Sequence, residues 1–117
     1  MGYNLGAQIL LNSNIDAVFA SSDNIAIGII KKFKEYNINI PRDISVIGYD
    51  NIQLSKFITP TLSTISQPIK SIAKEGVEML VKLINNELSN PYIMLEPSIV
   101  IRESGVNSIT WTHCILK

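Results

Sequence analysis

Apolar residues along the chain repeat with two alternating periods, one typical of helices and one typical of buried strands. Helical spacing is found in residues 5–10, 23–36 and 68–84, and short apolar runs bounded by turn residues are found at 16–20, 45–49, 62–65, 92–95 and 98–101. We therefore expect three helices that alternate with short strands. Such alternation is typical of helices packed on a mostly parallel sheet, so the pattern predicts an α/β fold.

The third helical segment is the longest and carries a regular apolar stripe. Pro68 suits its first turn, because proline is preorganised for that position and lacks only an N–H that would have no partner within the helix. The stripe consists of Ile69, Ile72, Ala73, Gly76, Val77, Leu80, Val81 and Ile84. Residues with this spacing share one face of a helix, and we expect that face to be buried.

The strand-like segment 45–49 is followed directly by a carboxylate, Asp50. In an open parallel sheet, the ligand crevice lies outside the carboxyl ends of the strands. Asp50 is therefore the leading candidate for a ligand contact, and the capping of a turn is the alternative. Ser21 and Ser22 also follow a strand, and either hydroxyl can cap the helix that begins near Asp23.

Composition and charge limit the classes of partner. The chain has 117 residues, 46% of them hydrophobic, which suits a single domain with a sizeable core. Ten basic and ten acidic residues give a net charge of zero, and no basic stripe offers the phosphate neutralisation that DNA binding needs. The single cysteine, Cys114, excludes an internal disulfide and fits a reducing compartment.

Residues 1–12 lack a secretory signal and no apolar run could span a bilayer, so we expect a soluble cytoplasmic protein.

An enzyme is one alternative to a binding module. Asp23 and Asp50 both follow strands, and two carboxylates could hold Mg²⁺ for phosphoryl transfer. The sequence has no glycine-rich phosphate loop, no lysine that follows a strand and no G-x-S-x-G elbow. Its one histidine, His113, lies beside Cys114 near the C-terminus without further metal ligands. We therefore expect no catalysis, no metal and no cofactor.

Four motifs occur in an order that resembles one known family. They are DAVFASSDNIAIG at 16–28, IPRDISVIGYDN at 40–51, TPTLSTISQP at 59–68 and SIVIRES at 98–104. Together they resemble the LacI/GalR family of bacterial transcriptional regulators over residues 2–106. The resemblance implies the C-terminal subdomain of a type I periplasmic-binding-protein-like fold, a three-layer sandwich with a mostly parallel sheet. Residues 1–106 would form this effector-binding subdomain, and 107–117 would be a tail of uncertain structure.

The resemblance also implies a function and a binding site. Members of the family bind a small-molecule effector between two α/β subdomains. Position by position, their ligand contacts fall on Asp50, Gln67 and Ser22, although sugar-binding members commonly carry Asn where this chain has Ser22. Asp23 follows the same motif, and we expect it to act in capping and local hydrogen bonding. A sugar or a related metabolite is the expected effector.

Partners follow from the same resemblance. Members of the family pair as homodimers, and the paired surfaces fall on Ile27, Phe57 and Ile58 of this chain. They reach operator DNA through a helix-turn-helix head, and no segment of this sequence offers one. The alternative with the same core is half of a periplasmic sugar-binding protein from an uptake system.

Overall fold

The computed structural model describes residues 1–12, 14–87, 91–105 and 114–116. Its elements in chain order are α1 (Gly2–Leu10), β1 (Ala17–Phe19), α2 (Asp23–Glu35), β2 (Ser45–Tyr49), a 3₁₀ turn (Gln53–Lys56), β3 (Ser63–Ser66), α3 (Ile69–Ile84), β4 (Ser98–Val100) and β5 (Cys114–Leu116). Within the described ranges, no helix is long and apolar enough to cross a membrane.

The elements agree with the hydrophobic pattern except at 92–95 and at β5, which lies where the pattern predicted no strand. Residues 92–95 form no strand. The prediction of a strand there is therefore wrong. Pro91 and Pro97 flank the segment, and proline has no N–H to donate to a neighbouring strand. Residues 107–113 and 117 of the expected tail lie outside the described residues, and His113 is one of them. The backbone of 114–116 forms β5.

The five strands form one sheet in the order β4-β3-β2-β1-β5. β1 pairs in parallel with both β2 and β5, and β2 pairs in parallel with β3. Val18 lies opposite Val46, and Gly48 lies opposite Thr64. The predicted α/β class with a mostly parallel sheet is therefore confirmed. Because β1 and β2 run in the same direction, the polar residues that follow them share one edge of the sheet.

One apolar cluster joins α2 to the sheet. Its buried members are Val18, Ala20, Ala26, Ile29, Ile30, Phe33, Val46 and Leu62. The four members on α2 are spaced three and four residues apart, so they share one face of the helix, as the pattern predicts. This packing fixes the N-terminal end of α2 beside the edge where β1 and β2 end.

α1 packs closely on α2 because small residues line their contact. Gly2 and Gly6 are the buried residues of α1. A Cβ atom at Gly28 of α2 would lie 2.7 Å from the backbone nitrogen of Tyr3, so a larger residue would push the helices apart. Beside this contact, the Lys32 ammonium lies 4.5 Å from the centre of the Tyr3 ring.

The chain divides into two compact units, one formed by 1–66 with 99–117 and the other by 67–98. α3 belongs to the second unit, and none of its residues is buried. The prediction that its apolar stripe is buried is therefore wrong, since Val77 is 62% exposed and Ile84 is 70% exposed. Helical periodicity shows that apolar residues share a face, but it does not supply a surface that covers the face.

Candidate functional site

The site begins where β2 leaves the buried part of the sheet. Residues 45–48 are buried, Tyr49 is half-buried and Asp50 is exposed. Asp50 and Asn51 have φ angles of 108° and 53°, which residues other than glycine rarely adopt. The Asp50 N–H donates to the Ile65 carbonyl oxygen at 2.9 Å. Such conformations persist only where the surroundings enforce them, and they are concentrated at ligand sites.

Asn51 is held by three hydrogen bonds. Its backbone N–H donates to Thr64 Oγ1 at 3.2 Å, and its side-chain Nδ2 donates to Ser66 Oγ at 3.2 Å. Its side-chain Oδ1 accepts from a terminal nitrogen of the Arg102 guanidinium at 2.6 Å. Strand β3 and the segment after β4 therefore restrain the residue that follows Asp50.

The Arg102 guanidinium joins the same turn to two other segments. One of its terminal nitrogens donates to the Leu62 carbonyl oxygen at 2.6 Å and to Ser55 Oγ at 3.0 Å. Its backbone N–H donates to Ser63 Oγ at 2.8 Å. Sequence reasoning used this arginine only as part of a motif and gave it no role. A signal was available, because a guanidinium beside an apolar run needs several acceptors if it is to be buried.

The two residues after Arg102 continue this network along β3. Glu103 is exposed, and its carboxylate accepts from the Thr61 N–H at 2.7 Å. This bond to the backbone of Thr61 lowers the pKa of Glu103. The buried Ser104 hydroxyl accepts from the Ser63 N–H at 2.8 Å and donates to the Val46 carbonyl oxygen at 2.6 Å. The segment 102–104 therefore sets the position of β3 relative to the site.

Asp23 is a fully buried carboxylate that ties α2 to this turn. Its Oδ1 accepts from the Thr64 hydroxyl at 2.5 Å, and its Oδ2 accepts from the Ile52 N–H at 2.8 Å. The partners are 41 and 29 residues away in sequence, so the prediction of local hydrogen bonding is wrong. A Cβ atom at Gly48 would collide with Oδ1 of Asp23, which explains why a glycine stands in the middle of β2.

These contacts also bear on the magnesium alternative. Both oxygens of Asp23 accept from protein donors in a buried position. Within the described ranges, no three His, Cys, Asp or Glu side chains lie together in a group that could hold a metal ion. The Asp23 carboxylate therefore holds the turn after β2 to the start of α2.

Ser22 and Gln67 occupy different settings. Ser22 is half-buried and is the N-cap of α2, where its hydroxyl accepts from the Ile25 N–H at 3.3 Å. It follows β1 and lies on the same sheet edge as Asp50. Gln67 is half-buried, directly follows β3 and belongs to the second compact unit. Its backbone carbonyl accepts from the Ile69 N–H at 2.9 Å.

Two of the three residues expected at a paired surface, Ile27 and Ile58, line one groove, and Phe57 precedes Ile58 in the chain. Phe57 is 72% exposed, whereas Ile27 and Ile58 are half-buried. Ile27, Ile58 and Ile30 line an open groove of about 410 Å³, together with Lys31, Lys34 and Glu35 of α2. Contiguous exposed apolar surface, such as the lining of this groove, is typical of an interaction site.

Comparison with known proteins assigns the family. The periplasmic binding protein-like domain family matches residues 3–105. The ribose operon repressor of Haemophilus influenzae is 43% identical over 103 residues, which are 86% of this chain and 31% of that protein. The chain therefore belongs to the periplasmic binding protein-like domain family, and the expected resemblance to LacI-family regulators is confirmed. It spans about a third of the length of the curated relatives that it matches.

Two solved structures support the assignment of the fold. The lac repressor dimer bound to operator and the anti-inducer ONPF has a TM-score of 0.82 and 26% identity, over 90% of this chain and 37% of that one. A LacI-family regulator from Lactobacillus casei with bound sucrose has a TM-score of 0.75 and 31% identity, over 89% of this chain and 39% of that one. Both relatives are transcriptional regulators.

Proposed function

We propose that this chain is the effector-binding part of a bacterial transcriptional regulator and that Asp50 is its principal ligand contact. The observation that carries the proposal is the turn after β2. There an exposed carboxylate follows a buried strand in a positive-φ conformation, and the Asp50 N–H donates to the Ile65 carbonyl oxygen of β3. Arg102 holds the side chain of the next residue, Asn51. Ser22 and Gln67 complete the proposed set of ligand contacts.

A sugar or another polyol suits these side chains. An ionised carboxylate can accept hydrogen bonds from two hydroxyls, and a glutamine amide offers both a donor and an acceptor. The Ser22 hydroxyl accepts one bond as the helix cap, yet it keeps a hydrogen and a second lone pair for a ligand. The names of two relatives, a ribose operon repressor and a regulator with bound sucrose, support the same class of ligand.

The proposed role in regulation is a shift between two arrangements of a longer protein. A ligand changes such an equilibrium only by its differential affinity for the two arrangements. Contact with operator DNA would be made by a head domain outside these 117 residues. We propose that the protein acts in the cytoplasm, as a regulator of transcription must, and that it catalyses no reaction. Residues 1–106 would form the effector-binding subdomain, with 107–117 as an added tail.

The test is a titration of the isotope-labelled chain with D-ribose and then with sucrose, followed by amide chemical shifts. We expect weak, saturable shifts at Asp50 and Ser22, because one half of a cleft supplies only part of the contacts. Asp50→Ala should abolish the shifts, whereas Asp16→Ala, which removes another exposed carboxylate, should leave them unchanged. Shifts that persist in Asp50→Ala would remove Asp50 from the site, and no shifts with either sugar would refute the proposed ligand class.

We also propose that the chain forms homodimers through the groove beside Phe57. In a two-fold pair, the same surface serves both copies, so an exposed aromatic next to an apolar groove can fill the groove of its partner. The groove of about 410 Å³ has room for a phenyl ring. The lac repressor structure, which is of a dimer, supports pairing in this family.

Sedimentation velocity at micromolar concentration tests the dimer. Phe57→Ser should shift the protein from dimer toward monomer. Leu11→Ser is the matched control, because Leu11 is also highly exposed and lies away from the groove residues in sequence. Equal behaviour of the two variants would contradict pairing through this groove.

A further inference from the structure

We propose that Arg102 is a positioning residue for the effector site, which acts on Asp50 through the side chain of Asn51. The inference rests on the proposed function, since it assigns a residue that sets the geometry of the same site. Arg102 itself is half-buried and its guanidinium is directed to protein acceptors.

The first observation is the spread of those acceptors. The guanidinium bonds to Leu62 directly before β3, to Ser55 in the 3₁₀ turn and to Asn51 in the turn after β2. A guanidinium is planar and rigid, so three simultaneous bonds fix the relative positions of the three segments. A lysine ammonium is a point charge on a flexible stem, so it could not keep the bonds to Leu62 and to Asn51 that the two terminal nitrogens of the guanidinium make.

The second observation is the conformation that the contact maintains. Asn51 has a φ of 53°, and Asp50 next to it has a φ of 108°. Conformations in this region revert to more common ones unless neighbouring groups hold them. The bond from Arg102 to the Asn51 side chain is 2.6 Å long, shorter than the two bonds of 3.2 Å that Asn51 makes to β3. Arg102 therefore makes the shortest of the three bonds that restrain Asn51, the residue next to Asp50.

The third observation separates this role from general support of the fold. The buried cluster on α2 and the Asp23 contacts stabilise the sheet without Arg102. Among the described residues, the arginine bonds to the sheet region at the Leu62 carbonyl and through its own backbone. Its loss should therefore act first on the turn at Asp50 and Asn51, and less on the rest of the sheet.

The test is a double-mutant cycle with Arg102→Lys, Asn51→Gly and the combined variant. Glycine accepts a positive φ but has no side chain for Arg102 to hold. Two quantities are measured for each protein, the hydrogen exchange rate of the Asp50 amide relative to the Ala20 amide and the affinity for D-ribose. Ala20 is the reference because its N–H donates to Ile47 within the same sheet, at 2.8 Å.

We expect Arg102→Lys to speed Asp50 exchange relative to Ala20 and to weaken ribose binding, each by about tenfold or more, because one charge-assisted hydrogen bond corresponds to at least that ratio. In the Asn51→Gly background, Arg102→Lys should add nothing to either quantity. Arg42→Lys is the matched control and should change neither, because Arg42 is exposed and lies outside this network.

Two outcomes would overturn the proposal. If Arg102→Lys speeds both amides equally, the arginine supports the whole fold rather than the turn. If its effect is the same with and without the Asn51 side chain, it does not act through Asn51. Absence of ribose binding in the unaltered protein would count against the proposed ligand, and the exchange ratios, measured without sugar, would still decide the positioning role.

Discussion

Replacement of Asp23 by alanine should be among the most destabilising single changes at this sheet edge. The substitution removes the acceptor for the Thr64 hydroxyl and for the Ile52 N–H. A buried donor that loses its partner costs about 1–3 kcal/mol. Thr64 is fully buried, but its hydroxyl can turn to the Ile65 carbonyl at 3.4 Å, which would offset part of the loss.

The Ile52 N–H is only partly buried, so water can offset part of its loss as well. We therefore expect Asp23→Ala to lower the free energy of unfolding by about 2–4 kcal/mol, a large part of the 5–15 kcal/mol that is typical of a domain. Urea unfolding followed by circular dichroism measures this loss as a lower midpoint with an unchanged slope. Asp16→Ala, at an exposed aspartate, should stay within about 0.5 kcal/mol of the unaltered protein.

Two results would contradict a stabilising role for these bonds. A loss below about 1 kcal/mol would mean that the two bonds contribute little beyond what water replaces. A cycle of Asp23→Ala with Thr64→Val should show a coupling of about 0.5–3 kcal/mol, because the two side chains contact each other directly. Strict additivity of the two changes would contradict the bond.

Three further predictions concern packing and pH. Gly48→Ala should cost about 1–3 kcal/mol by urea unfolding, because its methyl group would collide with the Asp23 carboxylate. Phe33→Ala should cost about 3–5 kcal/mol in the same assay, since Phe33 is the largest fully buried side chain among the described residues. The lowered pKa of Glu103, caused mainly by the Thr61 N–H, implies stability that is present above its ordinary pKa of 4.5 and lost as pH falls through the folded value. Glu103→Gln should therefore weaken the dependence of the unfolding midpoint on pH in that acidic range.

Sequence reasoning located the ends of β1 and β2 because the signals there are local. A short apolar run between polar turns predicts a buried strand, and the polar residue after it must lie at a sheet edge. β2 was predicted at the residues where it is found, 45–49. The helix cap was narrowed to Ser21 or Ser22, and the structure selects Ser22.

The roles of Asp23 and Arg102 could not be read in the same way. Asp23 is in the first turn of α2, where a carboxylate is stabilised by the partial positive charge of the helix N-terminus. A role within the helix was therefore the inference from sequence. Its actual partners are brought to it by the pairing of β2 with β3. Arg102 likewise bonds to residues 40, 47 and 51 positions away. Contacts at such separations depend on the register of the strands, which a single sequence does not specify.

The burial of the apolar stripe of α3 is a further property that the sequence did not specify. Its period correctly predicted a helix at 69–84, but not whether the face would be covered. The sequence by itself determined the α/β class, the three helices, strands β1 to β4 and the carboxylate after β2, because these depend on the spacing of residues near one another in the chain. Only the tertiary structure decided which side chains are buried, which donors Asp23 accepts from and what holds Asn51, because these depend on surfaces that meet after the sheet has formed.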